Sequence, residues 1–243
     1  MISDFFLALI LALIQGLTEF LPVSSSAHLL FPSLLFGAKD FGIVFDISVH
    51  AGTLAAVIFY FKKEIQGLFH AWMPWTKTRN KEDFSLGLNL LVATLPIVLV
   101  GLLVSDLTES RSANINSIAW ANLVFAGLLY AAFKRSTQSK SLTELTLFAA
   151  LIIGCFQALA VFPGASRSGM AITGALIIGL NIKDTSRFAF LLSIPTILGA
   201  LILMLAKGAY AIALSDMLIM LTGFFGSAFI AFITIKGFLQ FVE

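Results

Sequence analysis

The 243-residue chain is 59% aliphatic, aromatic or Cys residues and only 12% charged. Its mean hydropathy is strongly positive, which excludes a water-soluble domain and points to one bundle whose outer solvent is lipid. A net charge of +2 gives no basis for a nucleic-acid partner, and the single Cys155, set in an apolar run, excludes an internal disulfide.

Hydrophobic segments fall at roughly 2–21, 28–37, 44–61, 86–104, 118–133, 145–162, 170–180, 188–206 and 217–240. The first lacks a basic start and a small-residue cleavage site, so no cleavable signal peptide is expected. A full helical span takes about 20 residues. The segments 28–37 and 170–180 are too short, and each follows a longer one after a break, at Pro22-Val23-Ser24-Ser25-Ser26 and at Pro163-Gly164-Ala165-Ser166-Arg167-Ser168. Long segment, polar break and short segment together predict a helix–loop–helix that enters the membrane and turns back, shielded by protein or a watery cavity.

The two breaks resemble each other. Gln15, Pro22 and Ser25 parallel Gln157, Pro163 and Ser166, and Phe45–His50 parallels Leu191–Pro195 in spacing. The spacing predicts an internal repeat, with copies at about 1–140 and 141–243 in a single membrane domain, the second seeming to lack a last span. An odd number of spans in the first copy inverts the second. The predicted fold class is therefore an all-α polytopic membrane protein, an inverted-topology repeat with two re-entrant helix–loop–helix pairs and about five full spans.

Charge placement orients the repeat. If the loop at 62–85 is cytoplasmic, that side collects Lys62, Lys63, Lys77, Arg79, Lys81, Lys134, Arg135, Lys140, Lys183, Arg187 and Lys236, against Lys39, Arg111 and Lys207 opposite. Eleven against three is a strong positive-inside bias that places the N-terminus outside and leaves Arg167 alone within the membrane. The two re-entrant tips then enter from opposite sides and meet near the midplane.

Gln15 and Glu19 share one helix face. An ionisable Glu19 in an otherwise apolar run costs several kcal/mol unless paired or hydrated, which marks it as a functional candidate. A structural carboxylate on a buried cation is the plainer alternative. Ser24, Ser25 and Ser26 precede the short helix, where unpaired N–H groups and a positive dipole end face an anion, or where a Ser simply caps the helix. His28, one turn on, is a candidate proton carrier if a hydroxyl lies within reach, although a lone His is more often a satisfied core residue. Arg167, between Ser166 and Ser168, can clamp phosphate oxygens through its planar fork, with the flanking hydroxyls completing an anion nest. A bare Glu19–Arg167 ion pair is the competing reading, and the two are compatible. His50, at the start of a long span, is read as a neighbour of the site without a catalytic role, and His70, beside Trp72 and Trp75, as an interfacial residue.

The run from Gln15-Gly16-Leu17-Thr18-Glu19 through Pro22-Val23-Ser24-Ser25-Ser26-Ala27-His28 resembles the first motif of the bacterial undecaprenyl-pyrophosphate phosphatases, the bacitracin-resistance family. Pro163-Gly164-Ala165-Ser166-Arg167-Ser168-Gly169 resembles its second, and the similarity covers nearly the whole chain. The resemblance implies an integral enzyme of the bacterial plasma membrane that removes the terminal phosphate of a polyprenyl pyrophosphate lipid at a site facing the outside. It implies a divalent cation, Mg²⁺ or Ca²⁺, and roles for Glu19, Ser25, His28 and Arg167. Ser25 is then the expected nucleophile, Glu19 the base or a metal ligand oriented by Gln15, and His28 the proton carrier. Ser24, Ser26, Ser166 and Ser168 are the expected substrate-binding hydroxyls. A water nucleophile with Glu19 on the metal is the rival within this reading, and a flippase for undecaprenyl phosphate the rival outside it. The metal and the oligomeric state, a dimer included, stay open. Two positions depart from the commoner pattern: Gln15 stands where the first motif often begins with Glu, the family carrying either, and Ala171 stands where the second usually carries Thr, with Thr173 about 200° round the helix from it.

Overall fold

The computed structural model describes residues 2–73, 80–104, 114–207 and 216–243. Lys77, Arg79 and Arg111 of the charge argument, and Trp75 beside His70, lie outside the described residues. The described chain is helical, with α1 Ile2–Thr18, α2 Ser25–Phe36, α3 Ile43–Tyr60, α4 Lys62–Trp72, α5 Lys81–Val104, α6 Ile115–Arg135, α7 Leu147–Ala158, α8 Arg167–Ile178, α9 Ile182–Lys207 and α10 Met217–Val242. Two 3-10 turns, Leu142–Glu144 and Leu159–Val161, precede and follow α7, and one isolated β-bridge joins Lys140 to Leu180.

Five helices, α3, α5, α6, α9 and α10, are long and apolar enough to cross a membrane. Their large outward side chains, such as Trp120, Leu123 and Val124 on α6 and Phe225 and Phe229 on α10, are well exposed. In water such a surface would aggregate; against lipid it costs nothing.

Local chemistry ends the short helices where the fold needs turns. Ser24 and Ser166 cap α2 and α8, each accepting an N–H from the residue three positions on. The caps align Ser24 with Ser166, one residue away from the Ser25–Ser166 pairing that the spacing suggests. Gly37 and Gly179 close the same two helices in the left-handed conformation, at φ 63° and 95°, which costs Gly nothing. The stretch read as a loop at 62–85 instead contains α4. After a break at Phe61 the chain resumes an amphipathic helix, with Lys62 and Lys63 outward and Trp72 folded back onto Phe84 of α5. Its mixed apolar and charged face disguised it as loop.

Lys140, Lys183 and Arg187 share one end. Lys183 pairs with Glu243 at 2.8 Å, Arg187 lies 3.8 Å from Glu64, and Lys140 donates to the Ile178 carbonyl at 3.0 Å. These contacts gather the base of the α7–α8 hairpin, the start of α9 and the end of α10. The opposite end carries the Lys39–Asp4 pair at 3.2 Å, which ties the base of the α1–α2 hairpin. The hairpins therefore start from opposite ends, and their tips meet inside.

Close backbone approaches hold the bundle. A Cβ on Gly52 of α3 would run into the Phe224 carbonyl and the Ser227 hydroxyl of α10, and Ser227 donates to the Val49 carbonyl at 2.9 Å. Gly154 of α7 sits similarly against Ala93 of α5. Around the tips Phe20 and Phe190 pack edge to face at 5.4 Å, and every α8 residue from Ser168 to Leu176 is buried.

Candidate active site

The site forms where the two tips touch. Glu19 lies one residue past α1 yet keeps the helical bond from its N–H to the Gln15 carbonyl, 3.0 Å. That register stacks the two side chains, and Gln15 Nε2 donates to Glu19 Oε2 at 2.8 Å. Pro22 cannot continue the helix. The chain turns through it, and α2 begins with Ser25, whose hydroxyl donates to the same Oε2 at 2.7 Å.

The second tip supplies the cation. Arg167, the first residue of α8, donates from Nη2 to Glu19 Oε1 at 2.5 Å and from Nη1 to the Thr196 hydroxyl of α9 at 2.7 Å. Ser168 locks the tips together by donating to the Leu21 carbonyl at 2.7 Å. Two helix N-termini, each capped by Ser, thus converge with a guanidinium. First-turn N–H groups and positive dipole ends make such a place an anion site.

A cavity of about 440 Å³ opens at this point. Glu19, Ser24, Ser25, Ser26, Ser166, Arg167 and Thr196 line its polar end, and Ile97, Val98, Leu102, Ile197, Leu203 and Met204 line an apolar groove between α5 and α9. The exposed fractions are 4% for the Glu19 side chain and 17% for Arg167. Breaking a buried pair of this kind by deleting one partner costs about 3–5 kcal/mol.

Of the residues singled out in sequence, Gln15, Glu19, Ser25 and Arg167 form one connected set, with Ser24, Ser26 and Ser166 on the cavity wall. Ser24 and Ser26 hydroxyls are 3.3 Å apart, and those of Ser166 and Ser168 are 3.1 Å apart. Ser168 is spent on the tip-to-tip bond. His28 does not join them. Its Nδ1 donates to the Ser24 carbonyl at 2.7 Å, its ring leans on Phe31, and it lies outside the cavity lining.

Sequence reasoning gave no role to two side chains at the site. His50 of α3 lines the cavity, with Nε2 3.8 Å from Glu19 Oε2. Thr196 supplies a hydroxyl to Arg167 from α9, whereas Ala171, at the motif position that usually carries Thr, is buried within α8. The signal for His50 was its polarity in a long apolar span. Thr196 gave none, since a Thr in a helix ordinarily bonds its own backbone, as this one also does to the Leu192 carbonyl.

The donor set does not fit a protein-held divalent ion. Glu19 already receives three side-chain donors, and among the described residues no three His, Cys, Asp or Glu side chains converge on one point. Gln15 Oε1 is a buried oxygen without a donor, but Gln15 does not line the cavity.

The chain is 43% identical over 241 residues to the undecaprenyl-diphosphatase of Alcanivorax borkumensis, covering 99% of this chain and 91% of that one. It is 48% identical over 194 residues to the undecaprenyl-diphosphatase of Saccharophagus degradans, covering 80% and 73%. Residues 8–243 match the family described as bacitracin resistance protein BacA. The chain belongs to that family.

Proposed function

We propose that this protein hydrolyses undecaprenyl pyrophosphate to undecaprenyl phosphate and inorganic phosphate. The observation that carries the reading is one buried carboxylate, Glu19, holding a hydroxyl on one oxygen and a guanidinium on the other at the mouth of a half-apolar cavity. The pyrophosphate takes the polar end, and part of the prenyl chain lies in the α5–α9 groove. Arg167 exchanges Glu19 for phosphate oxygens, and the N–H groups opening α2 and α8 hold the rest. Glu19, relieved of its cation, becomes the stronger base for Ser25, whose hydroxyl already points at it. Ser25 Oγ attacks the terminal phosphorus and the lipid monophosphate departs. Binding a head group would not require a hydroxyl aligned on a carboxylate; this favours hydrolysis over transport alone.

The residues present make no resident site for the divalent ion that the family resemblance implies; such an ion would have to come with the substrate, where it would offset the negative charge of the pyrophosphate. The cavity lies toward the N-terminal end of α3 and the C-terminal ends of α5 and α9, away from the basic end. By the positive-inside rule it faces the outside of the bacterial plasma membrane, with each short hairpin turning back at mid-depth.

Phosphate release from farnesyl pyrophosphate by the purified protein in detergent tests the activity. Ser25→Ala and Arg167→Ala should each lose at least a hundredfold. No release by the unsubstituted, folded protein would overturn the reading.

A further inference from the structure

The mechanism above leaves the one imidazole on the cavity wall unused. His50 is the histidine that lines the cavity, and its geometry fixes its tautomer. Nδ1 lies 2.7 Å from the Asp46 carbonyl; a carbonyl only accepts, so Nδ1 carries the hydrogen. In the neutral ring Nε2 is then a bare acceptor, and it is this atom that faces Glu19 Oε2 at 3.8 Å. Ser25 Oγ lies 2.7 Å from the same oxygen. The attacking hydroxyl is hydrogen-bonded to one carboxylate oxygen, and a bare imidazole nitrogen from α3 stands 3.8 Å from that same oxygen, so a small closing movement completes the relay.

We propose that His50 is the proton acceptor of the hydrolytic site, taking the proton of the attacking hydroxyl through Glu19. The proposal rests on the phosphatase reading and deepens it. In the first half the Ser25 O–H bond breaks as Oγ–P forms, and the proton passes by way of Oε2 to Nε2. The bond from the terminal phosphorus to the bridging oxygen breaks, its electron pair leaving on the lipid phosphate, to which the imidazolium then gives its proton. In the second half water attacks the phosphoserine, its proton takes the same route, and His50 returns it to Ser25 Oγ as the Oγ–P bond breaks.

A proton left on Glu19 would keep Arg167 from returning to its carboxylate when phosphate leaves, stranding a buried guanidinium, so the carboxylate is a poor final store. An imidazole 25% exposed at the cavity wall can hold the charge beside Glu19 and exchange it with water. The charged groups around it are Glu19 from the first tip, Arg167 from the second, Asp46 one turn back on its own helix, and Asp40 and Lys39 from the α2–α3 connection, all on the same cavity. Against α3, α9 brings the Thr196 hydroxyl to the cavity and α10 brings Ser227, while Glu64 of α4 lies beyond its far end.

The test is the pH–rate profile of phosphate release from farnesyl pyrophosphate. His50→Gln keeps size and polarity but cannot titrate. It should lower kcat by on the order of a hundredfold while KM moves less than about threefold. The acid limb of the parental profile should vanish. Added imidazole should restore turnover to His50→Ala and leave the parent unchanged. A His50→Gln profile that keeps the parental acid limb overturns the proposal, as does His50→Ala deaf to imidazole while still melting like the parent. Should His50→Gln not fold, the imidazole response of His50→Ala decides alone, and should that fail to fold too, His50 is structural and the proposal falls. Absence of phosphate release from the parent would instead sink the phosphatase reading itself.

Discussion

Thr196→Val isolates what aims Arg167. Valine keeps the branched shape and the helical backbone, and removes only the hydroxyl that accepts Nη1 at 2.7 Å. The Glu19 contact to Nη2 survives, so the pair stays closed and the fold stays stable. What changes is the fork, now held at one nitrogen and free to swing. A hydrogen bond to a charged group contributes about 1.5–3 kcal/mol, or roughly 12- to 150-fold in rate at 1.4 kcal/mol per tenfold. The Arg167 side chain is 17% exposed, so water replaces part of the lost bond and the lower part of that range applies, roughly 10- to 30-fold in kcat/KM. Phosphate release from farnesyl pyrophosphate measures it, with Thr196→Ser as the control that should recover the parental rate. If Thr196→Val stays within about twofold of the parent, Glu19 alone aims the guanidinium and the role given to α9 is wrong.

Arg167→Lys keeps the charge and loses the planar fork, so turnover should fall at least tenfold in a protein that still folds; near-parental turnover would show that a point charge suffices. Gly164→Ala should lower the melting temperature in detergent. At φ 96° its Cβ would lie 2.6 Å from the Ile118 carbonyl, and left-handed strain plus overpacking add to about 2–5 kcal/mol, so an unchanged melt would refute the tight α6 contact. Glu144 closes a capping box before α7. The Ser141 backbone N–H, then its hydroxyl, hold the Glu144 carboxyl below its ordinary 4.5. A depressed folded value means that the stabilisation is present above that ordinary value and fades as pH falls through the folded one. The melting gap between the parent and Glu144→Gln should therefore shrink from pH 6 toward pH 3, and a constant gap would contradict it.

Much of this site was legible because lipid makes polarity conspicuous. Glu19 and Arg167 stand out in runs that are otherwise apolar, and the Pro and Ser residues beside them announce broken helices. The repeat then predicts that the breaks converge, and the Arg167–Glu19 contact at 2.5 Å places them together. Thr196 and His50 were harder. His50 was read as a neighbour of the site but not as the group facing Glu19, and Thr196 sits in a full-length span at ordinary spacing; the partner of each comes from another segment, so only packing reveals the contact. His28 shows the reverse. Its place one turn after Ser25 suggested a shared task, but the α2 helix turns its ring toward Phe31. The α4 helix was missed for a different reason, since a short amphipathic stretch next to basic residues has the composition of a loop.

The burial of α8 bears on how the protein is assembled in the membrane. A 12-residue helix is about 18 Å long, little more than half of a hydrocarbon core about 30 Å thick. From Ser168 to Leu176 all its faces are buried in protein, so its transfer from water is repaid by neighbouring helices and not by lipid. An insertion machinery that reads hydropathy one segment at a time has little to grip there. The long helices can partition by themselves; α8, with Arg167 at its head, gains a stable place only once α7, α9 and the first tip surround it. Biogenesis and activity thus converge on one late event, the closing of the two tips, and a substitution that delays this closure would empty the site before it unfolds the bundle.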